Sequence, residues 1–138
     1  MKLNAYISFN GNCREALEFY AGALDGKVIS MIPYSEAPPA TPFSPEVRDK
    51  IMHGRVEVDG DWLMASDAPP DRYKEPHGIS INITAKDAEQ AEHVYARMSA
   101  GGKITMALQE TFWALRFAMF QDKFGVGWMI NCEKPPQG

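Results

Sequence analysis

The feature that most constrains the fold of this chain is an internal repeat. Asn12 and Asp87, two residues suited to begin a helix, are 75 positions apart. The same spacing relates five further pairs of identical residues, which are Ala16/Ala91, Tyr20/Tyr95, Gly26/Gly101, Ile29/Ile104 and Met31/Met106. Shared helix-cap chemistry does not account for the two pairs that follow the helix. We therefore interpret the chain as two copies of one structural module.

Each copy shows the same order of elements, a strand and a helix followed by three strands. Both helices are predicted from capping-box patterns, at Asn12–Glu15 and at Asp87–Gln90, each followed by an apolar stripe and then by glycine. The strands are predicted at Leu3–Phe9, Lys27–Tyr34, Ile51–Val58, Trp62–Asp67, His77–Thr84 and Lys103–Leu108.

Two hairpins complete the modules. Asp59-Gly60-Asp61 between two apolar runs is a strong signal for a tight hairpin turn. The stretch Gln109–Cys132 alternates polar and apolar residues and turns at Asp122–Gly125. Within it, Trp128 is predicted to pack beneath a helix, because it alternates with Met129 along the returning strand.

The pattern predicts an α+β fold of tandem βαβββ modules, with curved mixed sheets around a cavity and the helices on the outer face. Residues 1–138 are expected to form one domain, with modules at about 1–70 and 71–134. The segment Ser35–Asp49 contains four prolines, so it is predicted to be neither a helix nor a central strand. Such a long loop is either a lid or a connector.

Composition excludes several classes of function. A net charge of −4 and a pI near 5.3, with lysine and arginine scattered singly, argue against a nucleic-acid or anionic-membrane partner. No apolar run is long enough to span a membrane, and the N-terminus shows no signal peptide, so we expect a cytoplasmic protein. Cys13 and Cys132 have no metal-ligand spacing and are expected to be reduced, buried residues.

Four segments, YISFNGNCREALEFY, WLMASDAPP, GGKITMALQETFWA and FQDKFGVGWMIN, resemble the PhnB-like branch of the vicinal oxygen chelate superfamily. Glyoxalase I, bleomycin-resistance and extradiol-dioxygenase proteins belong to the same superfamily. The resemblance implies a cavity lined from both halves and a homodimer. Some members are labelled 3-demethylubiquinone 3-methyltransferases, but this sequence has no Gly-rich nucleotide-binding turn, so we expect no such activity.

The resemblance also locates the positions at which metal-dependent relatives hold a divalent ion. Here they fall at Ala5, at Ser66 or Asp67, at Gly78 or Ser80, and at Met129. Only Asp67 among these has the chemistry of a usual ligand, and one carboxylate does not hold a Zn, Mn or Fe ion. His77 would point to the opposite face of its strand. We therefore expect no metal site and no cofactor.

His53 and Asp67 are the candidate catalytic residues. They lie on neighbouring predicted strands, and a histidine near a carboxylate is the simplest general acid–base pair. In the alternative interpretation, His53 is a structural residue at a strand end, and Asp67, before Ala-Pro-Pro, caps a turn.

Gln109, Glu110, Phe112 and Trp113 are the candidate ligand-binding residues. Polar groups beside flat apolar side chains suit a planar or amphipathic small molecule. Aromatic residues at this spacing also occur in cores and in dimer contacts, and the sequence leaves that alternative open.

Two functions follow from these patterns. The first is a metal-free protein that binds a small, aromatic or apolar ligand without catalysis. The alternative is a metal-dependent or acid–base enzyme of lyase, isomerase or dioxygenase type, and the missing metal ligands favour the first.

Overall fold

The computed structural model describes residues 1–135, in two compact units. The first, Met1–Lys74, contains five main elements: β1 (Ala5–Phe9), α1 (Cys13–Ala23), β2 (Lys27–Pro33), β3 (Ile51–Val58) and β4 (Asp61–Asp67). The second begins at Glu75 and contains β5 (Ile81–Thr84), α2 (Ala88–Met98), β6 (Lys103–Gln109), β7 (Ala114–Gln121) and β8 (Gly127–Glu133).

Both units have the same sheet topology. The strand order is β1-β4-β3-β2 in the first and β5-β8-β7-β6 in the second. The first and last strands of each unit pair in parallel, and the other pairs are antiparallel. The predicted α+β fold of repeated βαβββ modules is confirmed.

In each unit one helix covers one face of its sheet. The buried stripe of α1 includes Leu17 and Tyr20. Leu17 packs directly against Gly54 of β3. A Cβ at this position would lie 2.5 Å from Leu17 Cδ1, so there is no room for a side chain. In the second unit, Tyr95 of α2 contacts Phe120, and Trp128 is buried on the same face of the sheet. The predicted position of Trp128 beneath a helix is therefore correct.

The tight hairpin turn is also confirmed. Val58 pairs with Asp61, and Asp59 and Gly60 have φ values of 49° and 87°. Positive φ at both central residues defines the type I′ turn, whose twist matches that of the paired strands.

Three local predictions are wrong. Asn12 makes no side-chain cap bond to α1, whereas the Asp87 carboxylate accepts one from the Gln90 N–H as expected. The strand predicted from His77 begins only at Ile81, because Gly78 has a φ of 75° and interrupts the extended backbone. The loop after β2 contains two one-turn 3₁₀ helices, Tyr34–Glu36 and Pro45–Val47; Pro45 fits the first helical turn, where no N–H is needed.

Candidate functional site

Asp67, at the end of β4, has its carboxylate fully engaged with the backbone. Oδ1 accepts hydrogen bonds from the N–H groups of Gly11 and Cys13, each at 2.9 Å, and Oδ2 accepts one from the N–H of Ile51, also at 2.9 Å. The residue is 1% exposed. Asp67, a residue of β4, thus caps the first turn of α1. This geometry favours a structural role for Asp67 over a catalytic one.

His53 lies on the other face of the same sheet. Gly54 pairs with Ala65, so residues 54, 65 and 67 share the helix-covered face, and His53 points away from it. The His53 ring lies 6.0 Å from the ring of Tyr6, centroid to centroid. The structure therefore does not bring His53 and Asp67 together as an acid–base pair.

We call the side of each sheet turned away from its own helix the helix-free face. In the first sheet one cross-strand row on this face contains Tyr6, Met64, Arg55 and Ser30, from β1, β4, β3 and β2. The Arg55 guanidinium carbon lies 4.0 Å from the centre of the Trp62 ring. Sequence reasoning missed this pair. The signal was the alternation in β3, which puts Arg55 on the same face as His53.

The four predicted ligand-binding residues lie at the end of β6 and in the turn before β7. Phe112 and Trp113 are 89% and 44% exposed, and their rings are 4.8 Å apart in an edge-to-face contact. Glu110 forms an ion pair with Lys134 at 3.5 Å. Gln109 pairs with Phe117 across the β6–β7 ladder, and the Trp113 ring lies 5.2 Å from the Phe117 ring. Ring contacts thus run from Phe112 through Trp113 to Phe117, which is itself 7% exposed, and we call these three side chains the aromatic surface.

Asn131 is a polar residue beside this aromatic surface that the sequence analysis did not single out. It pairs with Phe117 on one side and Thr84 on the other, on the helix-free face of the second sheet. Its Oδ1 atom is buried and accepts no hydrogen bond from any residue in 1–135. A buried carbonyl without a donor costs about 1–3 kcal/mol, so a donor group brought to this atom would stabilise the protein.

The neighbouring row on that face is rich in methionine. Met129 pairs with Met119, and Met119 with Met106. Thioether side chains are flexible and polarizable, and they adapt to apolar molecules of varied shape. This row of methionines therefore adds further apolar side chains next to the aromatic surface.

The positions that correspond to the metal ligands of relatives do not fit a divalent ion. Ala5 and Met129 offer a methyl and a thioether, Gly78 and Ser80 precede β5, and the Asp67 carboxylate is already occupied by three N–H groups. Within residues 1–135, no group of three or more His, Cys, Asp or Glu side chains is arranged to hold a metal.

Two groups near Asp67, the buried thiol of Cys13 and the half-buried hydroxyl of Tyr34, are poor acids. Burial, and secondly the charge of Asp67, raises the pKa of the Cys13 thiol to about 12. The same two causes, in the same order, raise the pKa of Tyr34, whose hydroxyl donates a 2.8 Å hydrogen bond to the Asp67 carbonyl oxygen. Both groups are neutral at physiological pH, so neither supplies a nucleophile.

A further cavity of about 390 Å³ lies against the start of α2. It is lined by Lys86, Asp87, Glu89, Gln90 and His93. Asp87 and Gln90 are engaged in capping the helix. None of the predicted site residues lines this cavity.

Comparison with known proteins decides the family. The model of the Glyoxalase/Bleomycin resistance protein/Dioxygenase superfamily matches residues 2–130. The chain belongs to this superfamily. It is 35% identical to Protein YjdN of Escherichia coli K12, over 97% of each chain.

Solved structures share the fold of this chain. Protein PA1353 from Pseudomonas aeruginosa is 40% identical, with a TM-score of 0.89 over 98% of this chain and 99% of that one. A PhnB protein from Bacillus cereus has a TM-score of 0.78 at 22% identity, over 96% and 99%; at that identity it supports the fold alone. The resemblance to the glyoxalase/bleomycin resistance/dioxygenase superfamily is confirmed.

The membrane prediction was tested on the helices. Of the helices in residues 1–135, none is long and apolar enough to cross a membrane.

Proposed function

We propose that this glyoxalase-superfamily protein binds a small aromatic or apolar molecule, without a resident metal ion, on the helix-free face of its second sheet. The observation that carries the proposal is the buried Oδ1 of Asn131, which has no donor among residues 1–135. Asn131 pairs across the β7–β8 ladder with Phe117. A ligand with a flat apolar body and one N–H or O–H group would stack on the aromatic residues and satisfy this atom.

The predicted ligand-binding residues border this surface. Trp113 contacts Phe117 directly, Phe112 extends the aromatic surface, and Gln109 lies across the ladder from Phe117. Glu110, held by Lys134, lies at the rim. Of the two candidate catalytic residues, Asp67 caps α1, and His53 lies on the helix-free face of the first sheet. This arrangement supports binding over proton transfer by that pair.

We expect Trp113→Ala to weaken binding of N-phenylnaphthylamine, a neutral fluorescent aromatic probe, by about tenfold or more, because it removes the ring that joins Phe112 to Phe117. Fluorescence titration measures the dissociation constant. Phe124→Ala is the matched control, since it removes an aromatic ring from the turn at the other end of β7.

Two further measurements sharpen this test. Asn131→Ala should weaken binding of naphthamide, which carries an N–H donor, and leave the affinity for N,N-dimethylnaphthamide, which has no N–H, nearly unchanged. Binding should also persist in EDTA. Equal affinities in the wild type and Trp113→Ala, or loss of binding on chelation, would contradict the proposal.

The homodimer is part of the proposal. The outer strands β2 and β6 expose apolar side chains, with Ile29 and Ile104 at equivalent positions of the repeat. Unpaired edge strands with apolar groups gain by association with a second copy.

We expect sedimentation at micromolar concentration to give about twice the 15.4 kDa mass of one chain, and Ile104→Lys to shift the protein toward monomer. Ile79→Lys is the control, because Ile79 is exposed but lies outside the strands. A wild-type monomer under these conditions would refute the dimer.

We also propose a cytoplasmic location. Cys13 and Cys132 are both buried free thiols, which is the usual state of cysteine in a reducing compartment. Cell fractionation would test it.

A further inference from the structure

Arg55 occupies the middle of the helix-free face of the first sheet. It lies on the inner strand β3, between Met64 of β4 and Ser30 of β2. A charged residue at the centre of a sheet face is costly unless its charge is paired or solvated. The groups around Arg55 therefore indicate whether its charge is paired within the protein or is left for a bound molecule.

The guanidinium is stacked but not paired. It lies 4.0 Å from the centre of the Trp62 ring, and Lys2 Nζ lies 5.7 Å from the same centre. The Nε atom of Arg55 is buried and has no hydrogen-bond partner within residues 1–135. No described carboxylate forms an ion pair with Arg55. Glu57, the next acidic residue on this face, pairs across the ladder with Lys27.

The stacking on Trp62 leaves the in-plane donors of Arg55 without a partner in residues 1–135. The five N–H donors of a guanidinium lie in its plane, so contact of the cation with a ring face does not use them. Nε–H and one terminal N–H point in parallel, which matches the two oxygens of a carboxylate or the oxygens of a phosphonate.

We infer that Arg55 is the anchor of an oxyanion-binding site on the first sheet, which takes a small organic molecule bearing a carboxylate or phosphonate group. Trp62 holds the guanidinium in orientation, and Lys2 adds positive charge. The rings of Tyr6 and His53, 6.0 Å apart and tilted by 34°, supply an aromatic surface for the body of the molecule. The inference does not rest on the proposal for the second sheet, because it uses a separate set of residues.

The net charge of the whole protein helps to separate anion binding at the Arg55 site from general electrostatic attraction. The net charge of −4 repels anions at long range, so binding of an anion requires a local site. Naphthoate, naphthylphosphonate and neutral naphthamide share one ring system and differ only in the polar group. Calorimetric titration with the three compounds separates carboxylate, phosphonate and apolar recognition.

We expect at least one of the two anions to bind about tenfold or more tightly than naphthamide. Arg55→Gln should abolish this preference, and Arg55→Lys should restore only part of it, since ammonium keeps the charge but not the paired donors. Arg14→Gln, which removes the same charge from the exposed surface of α1, should leave it unchanged.

A measurement on the wild-type protein makes the test independent of any variant's folding. The ¹⁵N-resolved resonance of the Arg55 Nε–H should shift on addition of the preferred anion and stay in place with naphthamide. Equal affinity for both anions and the amide, an unchanged preference in Arg55→Gln, or an unmoved Nε–H resonance would overturn the inference. Naphthamide binding that depends on Trp113 would in that event leave the proposed function standing.

Discussion

Asp67→Ala is expected to lower the free energy of unfolding by about 3–6 kcal/mol. The variant removes the acceptor of three backbone N–H groups, from Gly11, Cys13 and Ile51. Two of these donors are at or just before the start of α1, and the third begins β3. Each buried N–H left without an acceptor costs about 1–3 kcal/mol, and free energies of unfolding are commonly about 5–15 kcal/mol. Urea denaturation followed by circular dichroism measures the loss.

A second substitution keeps the test informative if the alanine variant does not fold. In Asp67→Asn, one oxygen can still accept from Gly11 and Cys13, while the amide NH₂ faces the Ile51 N–H. The loss should therefore be smaller than for alanine. Asp71→Ala, at an exposed position, should change the free energy of unfolding by less than about 0.5 kcal/mol. An alanine variant as stable as the wild type would show that the three hydrogen bonds do not support the fold.

The role of Asp67 shows where reasoning from the sequence ends. Its donors are 56, 54 and 16 residues away along the chain. No local pattern encodes such an arrangement. The local pattern instead predicted that Asn12 caps α1. In the structure the carboxylate of Asp67, which is distant in sequence, caps the helix.

Repetition and alternation were more reliable guides. Matches 75 positions apart predicted two modules of one topology, because a sequence repeat preserves the order of strands. Successive side chains of a strand point to opposite faces, so alternation along β8 places Trp128 on the helix-covered face and Asn131 on the helix-free face. The unsatisfied atoms of Asn131 and Arg55 could not be predicted, since satisfaction of a polar group depends on neighbours brought by other strands.

Asp122→Ala is the other substitution with a large expected effect. Asp122 is 3% exposed and organises the β7–β8 turn. Its Oδ1 accepts from the N–H groups of Phe124 and Val126 at 2.8 and 3.0 Å, and its Oδ2 accepts from Trp128 Nε1 at 2.8 Å. We expect a loss of about 3–5 kcal/mol in the free energy of unfolding, because the indole N–H would remain buried without this acceptor.

A double-mutant cycle isolates the contribution of the indole. Trp128→Phe keeps most of the ring and removes the N–H, so Asp122→Ala should cost less in that background than in the wild type. The coupling should be about 1–3 kcal/mol, as found for residues in one hydrogen-bond network. Glu133→Ala, an exposed acidic position at the end of β8, is the control and should show no coupling. Additive losses for Asp122 and Trp128 would mean that the carboxylate stabilises the turn through Phe124 and Val126 alone.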